Sequence, residues 1–480
     1  MNKKEIIILL IARILQILIS LFTMRLMTTI LSNEQMGEYY IFLAIYMLAS
    51  LGIINPIGQY VNRNTYLWWR EGVLTQYINR YINFVLCFSL IYVILYGLGE
   101  CLFKGINTPF WMLFCYLYIV CLSLNQFLLH SLNILNFKIV FAIMTLMTSV
   151  LSLSGAYLFI EYSIAKQTVS IYYWVAGIII GNFISLCICV VYLRSKNTFQ
   201  KSILKSINVS IKEVFNFCCP IMITTLFIWF QSSGYRFAVE QMFGLKFLGI
   251  LAVCFAVSGQ IMSVIESLVT QIFQPTLFKH MDNVKNRKQH LDFYINENIA
   301  IYASVLFFCT FFMREIFLVL VDNKYLPYFY IGIIALWSEF FRISTNTLSL
   351  VFFCEKKMKV GIFPYLIGSL SLAFSIVLFR LLNVNLGILI AFAIGVAQLA
   401  SFIVCLITVK KISYFKINSI FLMKRIIIVL PSVLIAHCIP KFEMINAIHF
   451  IIIFGVGLFY LISLVTSFMF IKQPGGVYGS

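Results

Sequence analysis

Uninterrupted apolar segments of about 20 residues recur along the whole chain. A helix of that length crosses the hydrocarbon core of a bilayer and satisfies its own backbone hydrogen bonds. The composition agrees, because 62% of the 480 residues are hydrophobic and only 11% are charged. The sequence has no long polar stretch from which a sizeable soluble domain could form. We therefore predict an all-α, polytopic integral membrane protein.

Polar breaks divide the apolar segments into about fourteen spans. Their approximate limits are 6–30, 37–58, 81–100, 109–130, 139–160, 171–193, 214–236, 247–270, 297–321, 327–353, 360–382, 385–409, 425–440 and 446–471. Cytoplasmic loops are enriched in Lys and Arg, which provides a test of this division. With the N-terminus inside, 24 of the 35 Lys and Arg residues are cytoplasmic, five lie outside and six lie within spans. We expect both termini to be cytoplasmic.

The longest polar connection near the middle of the chain suggests two lobes. We predict an N-lobe over 1–193 with spans one to six, a cytoplasmic linker over 194–213, and a C-lobe over 214–409 with spans seven to twelve. Residues 410–480 form a final pair of spans and a tail. The linker contains Lys201, Lys205 and Lys212. It is interpreted either as a helix on an anionic leaflet or as an ordinary solvated loop.

Charged residues inside the spans are the strongest functional signal, because each is costly in the bilayer unless it is paired or hydrated. Six arginines and three glutamates qualify: Arg13, Arg25, Arg236, Arg314, Arg342, Arg380, Glu266, Glu315 and Glu339. Arg236, Arg314 and Arg380 are near outer span ends, while Arg25 and Glu266 are close to an interface. The remaining arginines need another explanation.

Arg13 and Arg342 lie deeper within their predicted spans. Arg13 has no acidic residue within one turn, so we expect it to face a hydrated cavity and bind an anion. Arg342 follows Glu339 at i,i+3, which allows either a structural ion pair or an arginine that faces a ligand. The first six spans contain no deeply buried carboxylate.

Signatures of enzymes are missing from the sequence. The five histidines are scattered, no paired CxxC spacing occurs among the 13 cysteines, and there is no GxxxxGK[ST] phosphate loop. We expect neither catalysis nor a resident cofactor or metal. The net charge of +18 follows mainly from the membrane topology, so no nucleic-acid partner is expected.

An internal repeat accompanies this organisation. The segments 25–39 and 235–250 each place an Arg near the outer end of a span, followed by a short loop and a glycine that opens the next span. The second segment contains Arg236-Phe237, Gly244-Leu245 and Gly249-Ile250, and related residues occur at 51–52 and 58–63. Here the sequence resembles the polysaccharide flippases of the multidrug/oligosaccharidyl-lipid/polysaccharide exporter superfamily, O-antigen translocases above all. Tyr235 stands where that family usually has Asp, and Thr29 where it usually has Arg.

The resemblance implies a two-lobed bacterial inner-membrane protein with six spans in each lobe and a C-terminal pair. Such a protein flips undecaprenyl-pyrophosphate-linked O-antigen repeat units to the periplasmic leaflet by alternating access, in lipopolysaccharide biosynthesis. Its implied partners are the lipid-linked oligosaccharide, the bilayer, a polysaccharide polymerase and a chain-length regulator. Arginines in a hydrated cleft would pair with the pyrophosphate, and the candidates are Arg13, Arg25, Arg63, Arg236 and Arg342. The coupling ion, H⁺ or Na⁺, stays open.

Two other functions compete with this interpretation. A cation-coupled multidrug or toxin extruder of the same fold would normally need a buried carboxylate in the first six spans. A membrane polysaccharide polymerase or acyltransferase would need large external loops or a His/Asp pair, and the sequence shows neither. The last two spans are almost wholly apolar, so we expect them either to contact a polyprenyl tail or to serve as padding or a dimer contact.

Overall fold

The computed structural model describes residues 3–104, 109–166, 170–195, 210–279, 284–355, 357–382 and 387–413, together with a few isolated positions up to residue 460. All regular structure in these ranges is helical, and no strand occurs there. The predicted fold class, an all-α polytopic membrane protein, is confirmed. The predicted spans thirteen and fourteen, and most of the linker, lie outside the described residues.

Fourteen α-helices are described, several of which join into longer stretches. They are α1 Lys3–Ile30, α2 Asn33–Ala49, α3 Asn55–Arg70, α4 Leu74–Lys104, α5 Pro109–Ile134, α6 Lys138–Ala165, α7 Ile171–Ser195, α8 Ile211–Trp229, α9 Tyr235–Lys279, α10 Val284–Phe311, α11 Met313–Leu320, α12 Phe329–Cys354, α13 Ile362–Leu381 and α14 Ile388–Ser413. Two π-helical segments, Ser50–Ile54 and Phe230–Gly234, connect α2 to α3 and α8 to α9.

Nine helical stretches in the described part are long and apolar enough to cross a membrane, or ten if α10 and α11 form one span bent by 78°. One of these stretches, Ile211–Gln271, is 61 residues long and covers the predicted spans seven and eight. It contains a break at Gly244, whose φ of 76° is a left-handed conformation that glycine adopts readily. The second predicted span continues to Arg70, because α3 extends it.

The chain divides into two compact units. Unit 1 comprises Met1–Met27 and Glu38–Arg236, and unit 2 comprises Thr28–Gly37 and Phe237–Ser480. The connection between α1 and α2 therefore belongs to unit 2, although both helices lie mainly in unit 1. The lobe limits derived from the sequence stay a prediction.

Helices α6 and α7 of unit 1 pack backbone against backbone. A Cβ atom added at Gly177 would collide with backbone atoms of Gly155 and Ala156, and one added at Gly181 would collide with the backbone of Ser152. Small residues at a four-residue spacing permit such an approach in membranes. Hydrogen bonds across the contact join Thr148 to Ser185 at 2.5 Å and Asn182 to Ser152 at 3.2 Å.

Asn182 extends this contact into the core of unit 1. Its side-chain oxygen accepts a hydrogen bond of 3.0 Å from Asn125 of α5, and both asparagines are buried. A hydrogen bond between polar side chains offsets the free energy that it costs to bury an amide among apolar helices. The α5–α6–α7 layer is thus held by small residues and matched polar groups.

Unit 2 holds the connection between α1 and α2 through two further glycines. A Cβ atom at Gly249 of α9 would collide with the carbonyl oxygen of Asn33, and one at Gly37 would collide with the carbonyl oxygen of Leu245. These are glycines of the repeated segments singled out in the sequence. Their place in the repeat is explained by this backbone contact, which leaves no room for a side chain.

Lys324 and its neighbour Asp322 also bind the connection between α1 and α2 by hydrogen bonds. The Lys324 ammonium donates to the Leu31 carbonyl oxygen at 2.6 Å, and the backbone N–H of Asp322 donates to the Thr28 hydroxyl at 3.1 Å. Burial lowers the pKa of Lys324 from its ordinary value, an effect that the nearby Asp322 carboxylate opposes. The half-buried ammonium is therefore stabilised by one short bond to the backbone and by a neighbouring negative charge.

Candidate functional site

An ionic cluster lies inside unit 2 and is centred on Arg342 of α12. The Arg342 Nε donates to Glu339 Oε2 at 2.6 Å, one turn earlier on the same helix. Its Nη2 lies 3.8 Å from Glu266 Oε2 and 3.5 Å from the Ser263 hydroxyl, both of which belong to α9. The three charged side chains keep between 16% and 25% of their surface exposed, so the cluster is only partly buried.

Neutral side chains extend the cluster on the Glu266 side. The Asn346 amide donates to Glu266 Oε1 at 3.1 Å, and its own oxygen accepts from the Tyr365 hydroxyl of α13 at 3.0 Å. Thr347 of α12 lies 3.5 Å from the hydroxyl of Tyr302 of α10. Four helices of unit 2 thus contribute polar groups, and the two carboxylates outnumber the one guanidinium.

The i,i+3 spacing of Glu339 and Arg342 predicted an ion pair as one of two alternatives, and the structure contains that pair. Glu266 was placed near an interface by the sequence, and its pairing with Arg342 was missed. It lies 76 residues earlier in the chain, as the residue numbers show, and only the packing of α9 with α12 brings the two together. The only sequence signal for this contact was that Glu266, like Glu339, is an acid within a predicted span of the C-lobe.

Arg236 is the most buried of the predicted substrate ligands, with 8% exposure. Its Nη1 donates to the Tyr40 carbonyl oxygen at 3.0 Å, and its guanidinium carbon lies 5.1 Å from the centre of the Tyr40 ring. A weaker bond of 3.5 Å reaches the Ser232 carbonyl in the π-helical segment. The Ser232 carbonyl lies in a π-helical segment, where the regular α-helical hydrogen-bond pattern is interrupted. These contacts stabilise the buried cation through neutral groups.

The other predicted ligands in unit 1 have separate surroundings. Arg13 is partly buried in α1, and its Nη1 lies 3.4 Å from the Gln16 side-chain oxygen. Arg25 is partly buried near the end of α1. Arg63 is exposed in α3 and stacks on the Phe217 ring of α8 at 5.3 Å. That these arginines bind an anionic substrate stays a prediction.

A contact between α3 and α8 was also missed by the sequence analysis. The Tyr60 hydroxyl donates to Glu213 Oε1 at 3.1 Å, close to the Arg63–Phe217 pair. Tyr60 belongs to the segment 58–63 singled out above, but Glu213 was read as part of the linker. The pair anchors the first turn of α8 to α3 within unit 1.

A metal centre of the usual kind does not occur in the part of the chain that the structure describes. No group of three or more His, Cys, Asp or Glu residues there could hold a metal ion. The described cysteines are free thiols.

Comparison with known proteins gives matches at the level of structure. No family model and no curated protein matches the sequence. A solved structure of the lipid II flippase MurJ, in an inward closed conformation, matches with a TM-score of 0.65 and 15% identity over 98% of this chain and 99% of that chain. The chain therefore shares the fold of this solved structure.

Solved structures of multidrug transporters also share this fold. An inward-facing MATE transporter of the MOP superfamily matches with a TM-score of 0.54 and 12% identity over 84% of this chain and 98% of that chain. The multidrug transporter DinF-BH, solved in complex with a ligand, matches with a TM-score of 0.53 and 14% identity over 86% of this chain and 94% of that chain. At such identities the fold is shared, whereas the substrate is a separate question.

Proposed function

We propose that the protein is a flippase that moves undecaprenyl-pyrophosphate-linked O-antigen repeat units from the cytoplasmic to the periplasmic leaflet of a bacterial inner membrane. The observation that carries the proposal is the extent of the structural match. The lipid II flippase aligns with 98% of this chain, whereas the two MATE transporters align with 84% and 86%. The sequence predicts two further spans after residue 409, and we take these to account for the difference.

The chemistry of such a substrate suits the arginines of this chain. A pyrophosphate carries several negative charges, and a guanidinium can bind it through two parallel hydrogen bonds. Arg13 is the strongest candidate, because the sequence places it inside a span without an acid in its own turn. The movement forms and breaks no covalent bond, so binding groups and alternating access are sufficient for the activity.

A second candidate function is a cation-coupled extruder, and one observation favours it. Glu266 and Glu339 provide partly exposed carboxylates inside unit 2, which the sequence interpretation placed at an interface or in a structural pair. Carboxylates within spans commonly mark ion or proton pathways in transporters. The same groups would also serve a flippase that uses an ion gradient.

Reconstitution into proteoliposomes tests the two functions against each other. A fluorescent polyprenyl-pyrophosphate oligosaccharide is added to one leaflet, and its movement is followed by a membrane-impermeant quencher. We expect movement with the wild-type protein, and much less with Arg13→Ala or with a lipid that lacks the pyrophosphate. Transport of a cationic rhodamine dye without movement of the lipid would assign the protein to the extruders and refute the flippase.

A further inference from the structure

The turn between α3 and α4 of unit 1 holds an exposed arginine against a pair of buried rings. Trp68 of α3 and Tyr77 of α4 are buried and stack, with their ring centres 3.9 Å apart and their planes 15° apart. The Arg80 guanidinium carbon lies 5.4 Å from the centre of the Tyr77 ring. Because a cation is attracted to an aromatic face, this contact restrains the guanidinium while Arg80 as a whole stays exposed.

The exposed charge around this turn is mainly positive. Arg63, Arg70 and Arg80 are exposed, and Glu71 is the one acid between residues 59 and 83. The sequence predicts that this end of α3 and α4 is cytoplasmic. A leaflet that contains anionic lipids attracts cations close to its surface, so this end of unit 1 is matched in charge to an anionic headgroup.

The length of α4 determines the depth at which Arg80 lies. The 31 residues of Leu74–Lys104 rise by about 46 Å along the helix axis. This length is close to the thickness of a bilayer with its headgroups, which is about 40–45 Å. Arg80 lies about 9 Å from the beginning of the helix. The guanidinium is therefore expected where the headgroups meet the hydrocarbon core, which is about 30 Å thick.

An apolar stripe continues from Arg80 along the same face of α4. Residues three or four apart share a helix face, so Arg80 is followed on this face by Phe84, Phe88, Ile91 and Leu95. The two phenylalanine rings are half-buried and stack, with their centres 5.7 Å apart and their planes 16° apart. Ile91 and Leu95 are 57% and 64% exposed. The stripe is thus accessible from outside the protein and has a cation at one end.

Two tyrosines beside the stripe explain why it is left uncovered. The Tyr92 hydroxyl donates to the Ile45 carbonyl oxygen at 3.0 Å, and the Tyr81 hydroxyl donates to the Ile54 carbonyl oxygen at 3.4 Å. These bonds hold α4 against the second span by the side that adjoins the stripe. The two phenylalanines therefore lie at the edge of that contact, and one face of the stripe stays free for a ligand.

We propose that the face of α4 from Arg80 to Leu95 binds one anionic phospholipid of the cytoplasmic leaflet. The lipid phosphate accepts hydrogen bonds from the Arg80 guanidinium, which can donate two in parallel to such a group. One acyl chain lies along the stacked rings and the exposed aliphatic side chains, where it makes dispersion contacts. The arginine selects an anionic lipid, because a zwitterionic headgroup carries its own cation beside the phosphate. Binding of this lipid is independent of what the protein transports.

Photolabelling of the purified full-length protein in lipid nanodiscs tests the site. The probes are phosphatidylglycerol and phosphatidylcholine that carry the same photoactivatable group on one acyl chain, and mass spectrometry locates the label. We expect phosphatidylglycerol to label residues 84–95 several-fold more than phosphatidylcholine does. The preference should fall as the salt concentration rises, since Arg80 is exposed. Equal labelling of this segment by the two probes would overturn the proposal.

Variants separate a lipid site at Arg80 from a general attraction of the basic surface. Arg80→Gln should remove the preference for phosphatidylglycerol, and Arg80→Lys should retain part of it as a point charge. Arg194→Gln is the matched control, because Arg194 is exposed in the last turn of α7 and Val190, one turn before it, is not aromatic. The control should keep the full preference. If Arg80→Gln kept it as well, or if Arg194→Gln lost it equally, no specific site would exist on α4.

Thermal unfolding provides a second measurement without a photoactivatable probe. Phosphatidylglycerol should reduce the unfolding constant of the wild-type protein about tenfold at a lipid concentration about ten times its Kd, relative to phosphatidylcholine. Arg80→Gln should lose this difference between the lipids, whereas Arg194→Gln should keep it. Labelling of residues 84–95 by a photoactivatable polyprenyl pyrophosphate, but not by phosphatidylglycerol, would assign the stripe to the proposed substrate and refute the phospholipid site.

Discussion

Replacing Gly249 by Ala should destabilise unit 2, whereas the same change at Gly395 should not. Both glycines lie inside helices, α9 and α14 respectively. A Cβ atom at Gly249 meets the Asn33 carbonyl oxygen at a distance that real Cβ atoms do not reach, and a Cβ atom at Gly395 has no neighbour within 4 Å. Because the obstacle is backbone, no change of rotamer can relieve it.

The magnitude follows from two terms. Alanine in a helix interior is favoured over glycine by about 0.5–1 kcal/mol, and this gain applies equally to both variants. Only Gly249→Ala carries the cost of overpacking, which is about 1–3 kcal/mol. The difference in unfolding free energy between the two variants should therefore be about 1–3 kcal/mol, with Gly395→Ala as stable as the wild type or slightly more stable.

Thermal unfolding of both purified variants, in the same detergent and at the same salt concentration, measures this difference. Gly37→Ala provides an independent check, since its Cβ would collide with the Leu245 carbonyl oxygen from the other side of the contact. If Gly249→Ala and Gly37→Ala were as stable as Gly395→Ala, the backbone contact between the α1–α2 connection and α9 would not exist in the protein.

Three further changes have defined outcomes. Arg13→Ala should abolish lipid movement in the proteoliposome assay without loss of membrane insertion, and Arg13→Lys should retain part of the activity. Arg342→Met should cost about 3 kcal/mol of stability, the low end of the range for a broken buried pair, because the cluster is only partly buried. Adding Glu339→Gln to that variant should recover part of the loss in thermal unfolding. Burial lowers the pKa of Lys324 in the folded protein, so the unfolded chain binds this proton more tightly. The free energy of unfolding should therefore rise as the pH approaches the ordinary lysine pKa of about 10.4. Lys324→Met should remove that rise when unfolding is measured as a function of pH.

The helices could be predicted from the sequence because apolar length alone determines which segments enter a bilayer. The limits predicted for spans one to twelve fall mainly on described helices. The main difference is α3, which extends the second span beyond its predicted end. Its sixteen residues, Asn55–Arg70, are mixed in polarity, yet they continue the second span because the chain passes through a π-helical segment without a break. Hydropathy cannot distinguish such a continuation from a loop.

Contacts between distant segments could not be predicted in the same way. The Glu339–Arg342 pair is local, so the spacing of the two residues was sufficient to suggest it. The contact of Glu266 with Arg342, and that of Arg236 with the Tyr40 carbonyl, depend on which helices pack together. Sequence periodicity contains no information about that choice when every helix is apolar on most of its surface.

The close contact of α6 and α7 has a consequence for biogenesis. Backbone meets backbone at Gly177 and Gly181, and hydrogen bonds from Asn182 and Ser185 cross the same surface. A lipid chain therefore has no space between these two helices. Only residues 166–170 connect them, since α6 ends at Ala165 and α7 begins at Ile171. We expect the two to leave the translocon as a preformed hairpin, and to be extracted from the bilayer together, in one force peak, when the protein is pulled from its end.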